Sequence, residues 1–173
     1  MKQGESIYDQ GLFSADEVKE ALTKFLKIAG YTIIPDKIIG FTTPDIYAEK
    51  KDAQIVISVK ERVEYALEGC RDLAAAKCFL GNKKNYVLAL PPVSEADVLQ
   101  FLIEKDEWYY PLNDHAIMVW IVNPERMEVH PVMGWPYDES LVKYLTNPES
   151  VNLINQYAGQ ILTKKMMEEE GLL

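Results

Sequence analysis

The 173 residues are 48% apolar and 26% charged, and 27 acidic against 18 basic side chains leave a formal net charge of −9. A chain of this length buries one sizeable core, so a single domain over 1–173 is expected, and the composition excludes disordered and fibrous classes. The longest apolar runs, such as Ala116 to Val122, fall well short of the ~20 residues that span a bilayer. Met1-Lys2-Gln3-Gly4-Glu5-Ser6 also lacks the apolar stretch of a secretory signal. The expectation is a cytoplasmic protein with no membrane partner. The acidic balance counts against tight non-specific binding of nucleic acid, which depends on cationic side chains releasing counterions from phosphates. It does not exclude a phosphodiesterase that meets the backbone through divalent ions.

In chain order, Ser14-Ala15-Asp16-Glu17 reads as a capping box. Val18, Ala21, Leu22, Phe25, Leu26 and Ala29 then recur at helical spacing until Gly30. A short strand over Tyr31 to Ile34 stops at Pro35. A second strand is expected from about Thr43 to Lys50, a turn at Lys51-Asp52, and a third strand from Gln54 to Lys60. Glu64 to about Leu80 reads as a helix closed by Gly81-Asn82, and Tyr86 to Leu90 as a fourth strand closed by Pro91-Pro92. Ser94 with Asp97 opens a helix running to about Lys105. Ala116 to Val122 is a buried fifth strand, and Arg126 to His130 a short sixth. Asn147-Pro148 reads as the start of a long amphipathic final helix carrying Val151, Ile154, Ala158, Ile161 and Leu162 on one face.

Metal and redox signals are sparse. Cys70 and Cys78 match neither a CxxC site nor a disulfide scaffold and read as reduced thiols. His115 and His130 have no partner at zinc-ligand spacing. Trp108-Tyr109-Tyr110, Trp120, Trp135 and Tyr137 could stack bases, but without interleaved basic residues they read more simply as packing. Lys77 falls within the apolar stripe of the second helix, where it either snorkels to an edge or reaches a phosphate.

The register of the second and third strands is the most informative feature. Ile55, Ile57 and Val59 share one face, and Val56, Ser58 and Lys60 the other. A two-residue loop at Lys51-Asp52 pairs Ile46 with Ile57, Ala48 with Ile55 and Asp45 with Ser58. The apolar faces then coincide, and Asp45, Ser58 and Lys60 gather on the opposite face; a one-residue slip breaks both patterns. A carboxylate beside an amine suits phosphodiester hydrolysis, because one holds a divalent ion and the other steadies developing negative charge. The same residues also read as an exposed Asp and Lys on a half-solvated hairpin.

Pro44-Asp45, followed after a turn by Ile55-Val56-Ile57-Ser58-Val59-Lys60, resembles the signature of the PD-(D/E)XK nuclease superfamily. The element order from Ser14 to Val122 is also similar to that superfamily's core. The resemblance implies an α/β fold with a restriction-endonuclease-like core, a central mixed β-sheet flanked by helices, over 14–122. A C-terminal helical extension would follow over 123–173. It implies a metal-dependent nuclease using Mg²⁺ or Mn²⁺, with the metal at Asp45 and Val59 and with Lys60 as base or electrostatic stabiliser. DNA is the expected partner ahead of RNA, with a homodimer as a further expectation. Ser58 stands where the family carries Glu or Asp. Some restriction enzymes with Ser at this place supply the carboxylate from the following helix, and Glu64 is the candidate here; it equally favours the N-terminus of its helix. Glu68 reads as solvated, opposite a buried side set by Leu67, Cys70, Leu73 and Ala74. Family members often add an acid from the first helix, for which Glu17 is the candidate alongside its capping role. The alternative function is a nuclease-like fold without activity, serving as a binding or assembly module.

Overall fold

A computed structural model describes residues 13–92, 116–149, 151, 160 and 163–172. The helix expected over Ser94 to Lys105, the aromatic run at 108–110, His115 and most of the expected final helix lie outside them.

The described elements are α1 (Ala15–Ile28), β1 (Thr32–Ile33), β2 (Ile46–Lys50), β3 (Ala53–Val59), α2 (Ala66–Leu80), β4 (Asn85–Leu90), β5 (Met118–Asn123) and β6 (Glu128–Met133). They form a mixed six-stranded sheet in spatial order β1 to β6, flanked by helices, which is the α/β architecture expected. The strands β3, β4 and β5 run parallel, and the pairs β1–β2, β2–β3 and β5–β6 are antiparallel. The capping box forms at the start of α1, with the Ser14 side chain accepting from the Glu17 N–H and the Glu17 carboxylate from the Ser14 N–H.

Alternation along the strands divides the core in two. Ile46, Ala48, Ile55, Ile57, Val87, Ala89 and Trp120 pack under α1, against Val18, Leu22, Phe25 and Leu26. Tyr47, Val56, Tyr86, Leu88, Val119 and Ile121 pack under α2, against Cys70, Leu73 and Ala76. Every residue of β4 is buried, as both covered faces of a central parallel strand require. Pairing of Ile46 with Ile57 and Ala48 with Ile55 is the expected register, and Lys50 opposite Ala53 leaves Lys51-Asp52 as the two-residue turn. Lys51 takes a positive φ of 48°, as the first position of a primed hairpin turn demands.

Two expectations change. The sixth strand begins at Glu128 and continues through Pro131 to Met133 instead of stopping at His130. Pro131 is tolerated because β6 is an edge strand and its register against β5 shifts at Val119/Trp120, where a bulge absorbs the missing donor. Leu141 and Leu145 also pack on the α1 side. Asn147 has a φ of 50°, a left-handed conformation instead of the extended backbone of an N-cap. Among the described residues no helix is long and apolar enough to cross a membrane.

Candidate functional site

Asp45 lies immediately before β2 and Lys60 immediately after β3, both at the end of the hairpin away from its turn. The β2–β3 ladder has run out there, and the Asp45 carboxylate replaces it: its Oδ2 accepts the Val59 N–H at 2.7 Å. On the other edge the Lys60 N–H donates to the Ala89 carbonyl at 3.0 Å, continuing the register with β4. These two bonds fix the backbone from which Val59 and Lys60 project.

Ser58 is buried at 3% exposure, on the α2 side of the sheet. Gly69 of α2 sits directly over it. A Cβ on Gly69 would lie 2.5 Å from Leu88 Cδ1, 3.1 Å from Ser58 Oγ and 3.4 Å from Lys60 Cε. Helix and strand approach this closely only because one position carries a hydrogen and the other a hydroxymethyl group. A Glu at 58 would meet the α2 backbone, so the small residue here is a consequence of packing.

Asp45, Ser58 and Lys60 line a cavity of about 80 Å³ with Thr42, Thr43, Pro44, Val56, Leu73 and Asp72. Asp72 is the second carboxylate of this cavity, and it comes from α2 three residues after Gly69. Lys60 Nζ lies 3.9 Å from Glu68 Oε2, with side-chain exposures of 21% and 67%. An ion pair that long and that wet contributes at most ~1 kcal/mol. Glu68, expected to be merely solvated, therefore reaches the cation of the site.

The structure does not bring the other two candidate carboxylates there. Glu17 lies on the opposite side of the sheet, occupied by its capping bonds, and lines a separate cavity with Glu20, Lys24 and Pro124. Glu64 falls in a 3-10 turn ahead of α2 and accepts from Arg62 Nε at 3.0 Å, exposed and outside the cavity. The reason is the orientation of α2. Its buried side is formed by Ala66, Gly69, Cys70, Leu73 and Ala76, with Leu67 and Ala74 only half-buried. With the helix turned onto this smaller stripe, Asp72 stands at the flank of the cavity. Asp72 had no signal in sequence except its spacing from Gly69, which marks the closest approach of the helix.

Among the described residues no group of three or more His, Cys, Asp or Glu is arranged to hold a metal ion. Cys70 and Cys78 are free thiols, and burial pushes Cys70 up to about 11, so it stays protonated and packs as a small apolar group. His130 pairs with Glu128 at 2.9 Å on β6.

A second polar cluster occupies the turn end of the hairpin. Asp138 accepts from the Tyr31 hydroxyl at 2.5 Å, from the Ser140 N–H at 3.1 Å and from the Ser140 hydroxyl at 2.7 Å. Its own N–H donates to Asn85 Oδ1 at 3.0 Å, and Asn85 donates onward to the Gln54 carbonyl at 3.0 Å. Lys50 Nζ donates to the Ala29 carbonyl at 2.9 Å and to Ser140 Oγ at 3.1 Å. Burial raises the Asp138 carboxyl, but the bonds from Tyr31 and Ser140 and the Lys50 charge outweigh it and hold the group below its ordinary value. Burial, with Asp138 beside it, raises the Tyr31 phenol. A cavity of about 540 Å³ lies alongside, lined by Lys50, Lys51, Asp52, Tyr137 and Asp138.

No family model matches the chain, and no curated protein does. Among solved structures, an XisH family protein from Nostoc punctiforme PCC 73102 is 16% identical with a TM-score of 0.47, over 66% of this chain and 96% of that one. An fdxN element excision controlling factor protein from Anabaena variabilis is 18% identical with a TM-score of 0.47, over 68% of this chain and 98% of that one. Likeness at this level carries neither an activity nor a substrate to this chain.

Proposed function

We propose that this protein hydrolyses phosphodiester bonds in nucleic acid, DNA ahead of RNA, as the resemblance to PD-(D/E)XK nucleases implies. The observation that carries the reading is the cavity shared by Asp45, Ser58, Lys60 and Asp72 at the open end of the hairpin. A mixed sheet whose β3 and β4 are joined through α2 is the setting that motif calls for.

A divalent ion fits the donor set. Mg²⁺ takes one or two carboxylates and keeps several waters, and Asp45 and Asp72 are two carboxylates on one small cavity. Asp72 thus takes the place expected of Glu64, and Val59 stands beside Asp45 at the same strand end. Mg²⁺ or Mn²⁺ held there would polarise the phosphate and lower the pKa of a bound water. The residues themselves do the positioning. The Val59 N–H fixes one oxygen of Asp45, a carboxylate that lines the cavity. Lys60 sets a positive charge beside the reacting phosphate, where it offsets negative charge developing on oxygen. Ser58 contributes its small volume, which keeps α2 and therefore Asp72 close to the strands.

The second reading, a binding or assembly module without hydrolysis, is favoured by the absence among the described residues of a three-carboxylate cluster. Cleavage of single- and double-stranded DNA and RNA with Mg²⁺ or Mn²⁺ separates the two. Asp45→Asn, Asp72→Asn and Lys60→Met are each expected to lower the rate by about 100-fold or more. Cleavage that survives all three removes the cavity from the mechanism, and a parent chain that cuts nothing leaves the module.

A further inference from the structure

An aromatic pair stands out on the approach to the cavity. Ile39 and Thr42 bond each other reciprocally, N–H to carbonyl at 2.8 and 3.0 Å, closing a tight turn with Gly40 and Phe41 at its tip. Gly40 has a φ of 60°, and a Cβ there would lie 2.0 Å from Phe79 Cε2, so the turn is seated against the last turn of α2 with no space to spare. The Phe41 and Phe79 rings meet edge to face, centroids 6.2 Å apart at 78°. Phe41 is 101% exposed, Phe79 58% and neighbouring Ile38 70%. A phenylalanine held wholly in water on a rigid two-residue turn contributes nothing to the core.

From this placement we infer that Phe41, backed by Phe79, is a stacking platform for an unpaired base of the nucleic-acid strand that enters the cavity. The inference rests on the proposed function and adds the form of the substrate, a single strand or a frayed end. Three observations favour a nucleic-acid strand over other occupants. Phe41 is four residues before Asp45, and the intervening Thr42, Thr43 and Pro44 line the cavity. The Cα atoms of Phe41 and Asp45 are therefore no more than ~14 Å apart, which a strand of a few nucleotides spans. Lys37 and Lys83 are exposed and stand four residues from Phe41 and Phe79 in sequence, the Lys37 ammonium lying over the Tyr47 ring at 5.4 Å, and Lys60 lies at the cavity itself. A π-face with adjacent cations is the combination that binds single strands without reading sequence.

The test uses the full chain and a single-stranded DNA 12-mer carrying one 2-aminopurine, with Ca²⁺ in place of Mg²⁺ or Mn²⁺. The parent chain is expected to quench the fluorophore at one position in the strand. Phe41→Ala is expected to abolish the quench and weaken binding about 10-fold or more, and Phe41→Trp to restore both. A matched blunt duplex is expected to show no such dependence. Unchanged melting temperature of Phe41→Ala confirms that only a surface ring was removed. Equal binding and quenching by Phe41→Ala overturns the inference, as does a parent chain that binds no oligonucleotide. A Phe41→Ala chain that changes from dimer to monomer with unaltered DNA binding also overturns it, since the patch then joins two copies. Failure is separable from that of the hydrolytic reading. Phe41-dependent quenching in a chain that never cuts sinks only the hydrolysis, and Asp45-dependent cutting without a Phe41 effect sinks only the platform.

Discussion

The two ends of one hairpin each carry a polar cluster, and the two are built differently. At the turn end Asp138 takes three hydrogen bonds from Tyr31 and Ser140, and its backbone is tied to Asn85. At the open end Asp45 takes one bond, from Val59, and Lys60 has a long contact with a mostly exposed Glu68. The larger cavity is at the turn end, where Asp138 is taken up by Tyr31 and Ser140 and Lys50 by Ala29 and Ser140, while Lys51, Asp52 and Glu139 also line it. Charges bound into a closed network stabilise; charges left facing a small cavity with a second carboxylate are available for chemistry. The volume of a cavity is a poor guide to which is which.

This contrast can be broken from either side. The largest effect is expected from placing at position 58 the acidic residue of the PD-(D/E)XK signature. Ser58→Glu buries a carboxylate against the backbone of α2, and should destabilise the fold by about 3 kcal/mol or more without raising activity. Urea denaturation of the variant measures it; a stable, more active Ser58→Glu would mean that α2 yields easily and that the packing account of Ser58 is wrong.

A smaller effect is expected at the turn end. Asp138→Asn should cost about 1–2 kcal/mol at neutral pH, with cleavage and DNA binding unaltered. The folded value of Asp138 is depressed, so its stabilisation is full above the ordinary 3.8 and is lost as pH falls through the lower folded value. Parent stability measured from pH 6 down to ~2.5 should therefore fall more steeply than that of Asp138→Asn. Parallel curves for the two proteins would detach the network from stability.

The hairpin was legible before the structure because two independent patterns had to agree. Alternation put Ile55 and Ile57 on one face, a two-residue turn at Lys51-Asp52 set the offset, and the observed pairing follows both. Asp45 and Lys60 came together as a consequence. The α2 orientation was not legible, because Ala66, Gly69 and Ala76 are small and hardly distinguish a buried side, whereas Leu67 and Ala74 drew the stripe toward themselves. Asp72 went unseen for that reason. The Asp138 network was beyond reach for another: Tyr31 lies 107 residues away and Asn85 53, and no local spacing relates them.

Mn²⁺ binding to the full chain, followed by electron paramagnetic resonance, tests the open end most directly. The parent is expected to bind one ion, Asp45→Asn and Asp72→Asn each to weaken it about tenfold or more, and Asp138→Asn to leave it unchanged. Mn²⁺ binding indifferent to Asp45 and Asp72, or lost with Asp138, would contradict the assignment of chemistry to the open end of the hairpin.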